Sequence, residues 1–254
     1  MVSAEPTADP KSMLQMLETS ADSLSRGVEE LTDEQVREPS GLPGWTRGHV
    51  LAHVARNADA LVNLLTWART GDETPMYPSR QARDDGIAAG SGRTASEQRA
   101  DLLESQARFM AAAAQMREAD WQARIHWGAD GQDAAADLVP WLRLVELEVH
   151  HVDLDLGYTP AHWTAWFVRR QLARTAEDFR SRPDTPAMTL RALDDDTEYV
   201  LGVDDGSAPV VCGPQAALLA WLLGRYDGTG LTLMENADSA EPGSGPLPVL
   251  APWR

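Results

Sequence analysis

The stretch PWLRLVELEVHHVDLDL, residues 140–156, decides how this chain folds. Its residues sort into rows at helical spacing. Leu142, Val145, Val149, Val152 and Leu156 form one row, and Leu144, Leu147, His151 and Leu154 another. Between them runs a polar row, Arg143, Glu146, His150 and Asp153, at i, i+3, i+7 and i+10. A solvent-facing polar stripe lies opposite the apolar face of a helix. A polar row flanked by two apolar rows points inward instead, where ionisable groups are costly unless paired or bound to metal. Pro140 suits a first turn and Gly157 a stop, so a helix is expected over 140–156.

Two readings of the inward row stay open on spacing. One is a buried hydrogen-bond network, Arg143 with Glu146 and His150 with Asp153, which spacing alone favours. The other is a metal site. Helical residues at i and i+4 share a face, so Glu146 and His150 can grip one ion. His53, on a helix about ninety residues earlier, would be the third ligand. Three protein ligands with an open position is the arrangement of catalytic zinc. His151 points about 100° away from His150 and is expected to be packed or partly exposed. Glu148 is expected on the outer face, and His49, one turn before His53, as a bystander. His126 and His162 have no helical partner at ligand spacing.

Working outward, Met13, Leu14, Leu17, Leu24, Val28 and Leu31 predict a helix over about 11–32. PSGLPGW (39–45) reads as a loop. Thr46 is a good N-cap for a helix to about Arg69, ended by Gly71, with Val50, Val54, Ala58, Leu61 and Leu65 as its apolar stripe. Residues 72–93 read mostly as loop, with room for a short helix at 79–90. Thr94 and Glu97 form a capping box for a helix to about Met116. A Gly- and Asp-rich loop is expected at 128–137. Residues 1–157 thus have the content of a four-helix bundle.

The character changes after Gly157. A helix is expected over 161–181. Strand-like runs follow at 187–193, 198–203 and 208–212, separated by DDD (194–196) and DDGS (204–207) turns. A short helix at 214–224, a strand at 231–235 and an irregular tail at 236–254 complete the chain. The fold class is α+β: a helical bundle over 1–157, then a small α+β domain over 158–254.

Bulk properties narrow the function. The 254 residues are 43% hydrophobic and 24% charged, an ordinary globular composition. A formal net charge of −17 repels phosphate backbones, which argues against nucleic acid as partner. No apolar run approaches a membrane span, and the N-terminal residues contain no apolar signal core. One cysteine, Cys212, excludes an internal disulfide framework and fits a reducing cytoplasm. It ends a strand-like run and reads as a small buried hydrophobe. The nine tryptophans read as packing residues rather than a ligand cage.

WTRGHVLAHVARNADAL (45–61) and ELEVHHVDLDLG (146–157) together resemble the mycothiol-dependent maleylpyruvate isomerases, within the wider DinB-like superfamily. TWARTGDETPMYPSRQARDDGIAAG (66–90) resembles the segment joining those motifs, and LLGRYDGTG (222–230) carries a looser match. The resemblance implies a DinB-like bundle with a divalent metal, zinc by preference, held by His53, Glu146 and His150. It implies that Arg83 and Arg225 handle anions, Arg225 toward cofactor or substrate, and that Asp153 orients a ligand imidazole. The alternative for both arginines is a surface or interdomain salt bridge. The implied activity is cis–trans isomerisation of maleylpyruvate to fumarylpyruvate, with mycothiol adding as a zinc-activated thiolate. Two alternatives remain at this point: a zinc-dependent mycothiol S-transferase, and a non-catalytic metal-binding stress protein. A monomer working on a small anion and a low-molecular-weight thiol is expected.

Overall fold

The structure is a computed structural model that describes residues 9–128, 131–203, 208–234 and 245–253. The chain divides into two compact units, Met1–Tyr158 and Thr159–Arg254.

The first unit is built on helices α1 (Pro10–Gly27), α2 (Arg47–Thr70), α3 (Arg80–Ser91), α4 (Ala95–Ala114) and α5 (Val139–Asp153). The long helices α1, α2, α4 and α5 form the bundle, with α2 packing on α3, α4 and α5, and α1 on α5. Helix α2 is its axis. Thr46 caps it by accepting from the His49 N–H, and Gly71 ends it in the left-handed region at φ 82°. Its stripe of Val50, Val54, Ala58, Leu61 and Leu65 is fully buried, joined in one core by Leu17, Leu24, Phe109 and Leu147.

Helix α3 is a true element with Ser79 as its N-cap, so the 72–93 segment holds more order than its loop composition suggests. It lies against α2 because Gly90 has no side chain. A Cβ there would stand 2.8 Å from the Cβ of Ala52, one residue before His53. Thr94 and Glu97 form the expected capping box at the start of α4.

Several boundaries differ from expectation, among them the start of the helix expected over 161–181, which begins at Ala165 after a short 3-10 turn at Pro160–His162. Helix α1 stops at Gly27, yet Val28 and Leu31 are buried in the turn beyond it. The periodicity there reported burial rather than helix. Helix α5 stops at Asp153, short of Leu156. The Gly41 N–H donates to Asp153 O, Arg47 Nε donates to Leu154 O, and Asp155 turns left-handed at φ 52°. Outside donors satisfy the last carbonyls, so no further turn is needed. The stretch before α5 forms a hairpin, β1 (Arg124–Trp127) with β2 (Gln132–Ala135), paired antiparallel with Ile125 opposite Ala134. Only Ile125 is fully buried on β1, too weak an alternation to read from sequence.

The second unit contains helix α6 (Ala165–Arg180), strands β3 (Met188–Ala192), β4 (Glu198–Leu201) and β5 (Val210–Gly213), helix α7 (Gln215–Leu222) and strand β6 (Thr232–Met234). The sheet order is β4-β3-β5-β6, with β3 and β5 parallel and the other pairs antiparallel. Met188, Leu190 and Ala192 alternate inward on β3, while interior strand β5 is buried throughout. The expected DDGS turn (204–207) and most of the 236–254 tail lie outside the described residues. The described part of the tail, 245–253, carries no helix or strand. Among the described residues no helix is long and apolar enough to cross a membrane.

Candidate metal centre

Helices α2 and α5 pack against each other, and the contact brings three side chains to one point. His53 Nε2 lies 2.9 Å from Glu146 Oε2 and 3.0 Å from His150 Nε2. His150 Nε2 lies 3.2 Å from the same carboxylate oxygen. Four donor atoms at about 2.0–2.1 Å from a tetrahedral zinc would stand roughly 3.3 Å apart. The observed triangle is within a few tenths of that spacing. Two imidazoles and one carboxylate are also the borderline ligand set that suits zinc and similar divalent ions. The residues therefore fit a metal. Among the described residues this is the cluster of His and acidic groups that could hold one.

The surroundings orient the two histidines. His150 Nδ1 bonds Asp153 Oδ2 at 2.8 Å, and Asp153 is buried at 2% exposure. With the proton on Nδ1, the Nε2 lone pair faces the triangle. Trp45 sets a ring edge-on to His53, with centroids 5.7 Å apart. Arg143, fully buried, donates to Gln106 Oε1, Val54 O and Asn57 Oδ1. The expected Arg143–Glu146 hydrogen bond does not form, because the backbone of α2 and the side chain of Gln106 on α4 are nearer. Burial pulls the Arg143 guanidinium down to about 10, which leaves it charged at neutral pH.

Charge is distributed unevenly over the triangle. Burial, then the neighbouring His150, hold His53 below the usual histidine range. Burial works against protonation of His150, but the hydrogen bonds to Asp153 and Glu146 outweigh it and push that imidazole up to about 9. Burial would raise Glu146, yet hydrogen bonds to His150 and His53 win and hold the carboxyl well below its usual range. These directions favour an ionised Glu146 and a proton on His150 rather than on His53.

The remaining histidines stand elsewhere. His49 closes the cap of α2, its Nδ1 accepting from the Thr46 N–H. His151 is 5% exposed and stacks on Tyr158 with centroids 3.7 Å apart. Glu148 is half-buried rather than outward, and accepts from the Tyr158 hydroxyl at 2.5 Å. His126 meets Trp67 edge-on, and His162 caps its own turn through the Thr159 N–H.

Arg83, on α3, brings its Nη2 to 3.5 Å from His53 Nδ1 and pairs its Nη1 with Asp84 at 2.9 Å. Arg225 belongs to the second unit, where its Nη1 donates to Leu223 O at 2.6 Å. Beside Arg83 opens a cavity of about 200 Å³, lined by Arg56, Asp59, Asn63, Met76, Tyr77 and Arg83, among others. Of these, only Arg83 is among the residues expected from the sequence. The available signal was the Pro-Met-Tyr-Pro run at 75–78, in which two prolines stiffen the residues between them.

A family model described as the mycothiol maleylpyruvate isomerase N-terminal domain matches residues 17–155. The chain is 30% identical to a mycothiol-dependent maleylpyruvate isomerase of solved structure, with a TM-score of 0.82 over 94% of this chain and 95% of that one. A histidine-to-alanine mutant of such an isomerase gives 30% identity and a TM-score of 0.83 over 92% and 96%. YfiT from Bacillus subtilis, with its unusual four-helix bundle topology, shares the fold at 19% identity and a TM-score of 0.51, over 65% of this chain and 93% of its own. No curated protein matches the chain.

Proposed function

Because the chain belongs to the mycothiol maleylpyruvate isomerase family, we propose that it is an enzyme using a low-molecular-weight thiol, mycothiol, as co-substrate to isomerise maleylpyruvate to fumarylpyruvate. The observation that carries the reading is the inward triangle of His53, Glu146 and His150, with donor atoms 2.9–3.2 Å apart. These three residues would hold a divalent cation, zinc by donor set. When bound, such an ion keeps a thiol as thiolate at neutral pH.

The chain's own residues then have defined tasks. Asp153 keeps His150 in the tautomer that offers Nε2. In the tautomer of His53 that offers Nε2, Nδ1 carries the proton, and Arg83 has no acceptor there. Its Nη2 is then available to a carboxylate of the substrate, while Nη1 stays paired with Asp84. Arg225 is the second residue proposed to meet an anion, of substrate or cofactor. Arg225→Ala is expected to raise KM for thiol or substrate while metal content stays unchanged. A charge-assisted hydrogen bond is worth about 1.5–3 kcal/mol, so the rise should be roughly tenfold to a hundredfold. Unaltered kinetics would leave Arg225 a structural residue.

The protonation of the cluster gives a pH test. Ligation must displace the proton that Asp153 and Glu146 hold on His150 up to about 9. Metal binding at pH 7 is therefore expected to release about one proton. The apparent Kd should tighten about tenfold per pH unit as pH rises from 6.5 toward 9, then level off. A pH-independent affinity across that window would show that His150 carries no proton to displace before the ion binds.

The function itself is tested by mixing purified protein, zinc and mycothiol with maleylpyruvate, and in parallel with simple electrophiles. Fumarylpyruvate formation is the expected result. Thiol transfer onto the electrophiles without isomerisation would replace this reading with an S-transferase.

A further inference from the structure

Tyr77 sits in the segment Thr74–Ser79, between α2 and α3, and several contacts fix its place. Asn63 Nδ2, on α2, donates to Pro75 O at 3.3 Å and to Met76 O at 3.2 Å. The Met76 sulfur accepts from the Gly128 N–H at 3.5 Å. Pro78 confines the Tyr77 backbone to the extended region. One residue later Ser79 caps α3, its hydroxyl accepting from the Ala82 N–H at 3.0 Å. A loop tied down at both ends holds its side chains for preorganised contacts.

The half-buried Tyr77 lines the same cavity as Arg83. Its hydroxyl interacts with Arg83 and lies within the fields of Glu146 and Arg143. Arg83 in turn reaches His53. Tyr77 and Arg83 thus line one cavity, and Arg83 links that cavity to His53. Arg56, whose buried Nε has no partner, lines the same space.

We infer that Tyr77 is a catalytic residue of the isomerisation, its hydroxyl donating a hydrogen bond to the substrate oxygen that becomes an enolate. The inference rests on the function proposed above. In that reaction a sulfur lone pair of the thiolate forms the S–C bond at one alkene carbon. The π pair of the double bond shifts toward the adjacent carbonyl, whose own π pair moves onto oxygen. The former double bond, now single, rotates. The oxygen pair then re-forms the carbonyl, the alkene returns in its trans form, and the S–C pair leaves with sulfur as thiolate. No proton or electron is gained or lost overall, but a full negative charge appears on one oxygen in between.

That charge needs a donor already in position, and a donor aimed at a developing oxyanion accelerates a step by about 10²–10³. Burial, then the nearby Glu146 carboxylate, push the Tyr77 phenol up to about 12, so it keeps its proton at working pH. Arg83, by contrast, suits a carboxylate charged throughout the reaction.

Tyr77→Phe removes the hydroxyl and keeps the ring. The expected result is a kcat lowered about a hundredfold, KM within about threefold of wild type and unchanged metal content. Binding is read from tryptophan fluorescence with two probes. The Kd of 2,4-dioxopentanoate, which offers an enolate oxygen, should rise tenfold or more, while that of maleate, which offers only carboxylates, should stay the same. Equal binding of 2,4-dioxopentanoate by both proteins would overturn the role of Tyr77. A rise in KM alone, with weaker maleate binding, would also overturn it, by showing that Tyr77 only holds Arg83. A wild type that cannot isomerise with thiol would instead overturn the function, and the two failures are distinct because probe binding requires no turnover.

Discussion

Replacing His53 with alanine is expected to strip the divalent metal from the protein and abolish its activity while the helical bundle stays folded. The imidazole is one of three donors converging within 3.2 Å, and the only one contributed by α2. Four-ligand zinc sites bind with about 10–16 kcal/mol, so one ligand carries roughly 3–4 kcal/mol, a loss of about 100- to 1000-fold in affinity. The fold should survive. Glu146 keeps its contact with His150 at 3.2 Å, and His150 keeps Asp153, so the truncation leaves no isolated buried charge. The α2 core of Val50, Val54, Leu61 and Leu65 does not depend on the ring. Elemental analysis after dialysis, paired with circular dichroism, separates the two effects. Stoichiometric metal in His53→Ala would strike that residue from the ligand set. An unfolded variant would show instead that the cluster carries the fold.

Activity is expected to depend wholly on added thiol. The single cysteine of the chain, Cys212, is 7% exposed on the interior strand β5, and burial pushes its thiol above the usual range. A thiol in that state is a poor nucleophile at neutral pH. Water cannot replace it, since hydroxide is a poor leaving group for the elimination that must restore the double bond. Turnover without thiol should therefore fall below detection, a change of several orders of magnitude. Wild type and Cys212→Ala, each assayed with and without mycothiol, decide the matter. Full activity in thiol-free wild type would sink the mechanism, and its disappearance in Cys212→Ala would move the nucleophile onto the protein.

Much of this arrangement is written in local patterns. The polar row Arg143-Glu146-His150-Asp153 between apolar rows requires a helix with ionisable groups facing inward, because helical geometry converts spacing into direction. Thr46, Gly71 and the Thr94–Glu97 box mark helix ends through backbone groups that only nearby atoms can satisfy. Such features need no knowledge of the rest of the chain. The points that needed tertiary structure all depend on partners distant in sequence. Spacing left the inward row open between a hydrogen-bond network and a metal site, and only the packing of α2 on α5 brings His53 to Glu146. Arg143 turns to Gln106, Val54 and Asn57 because those acceptors come from α2 and α4. Helix α5 ends early because Gly41 and Arg47 arrive to take its carbonyls. Tyr77 is one tyrosine in a loop until Asn63 fastens that loop to α2 and Arg83 meets its hydroxyl. Sequence by itself determined which faces must be buried and where helices begin, since both are paid locally in backbone hydrogen bonds and apolar area. Which buried polar groups meet one another was decided only by the packed fold, since a hydrogen bond or ligand contact needs atoms within about 3 Å, and chain spacing does not specify that.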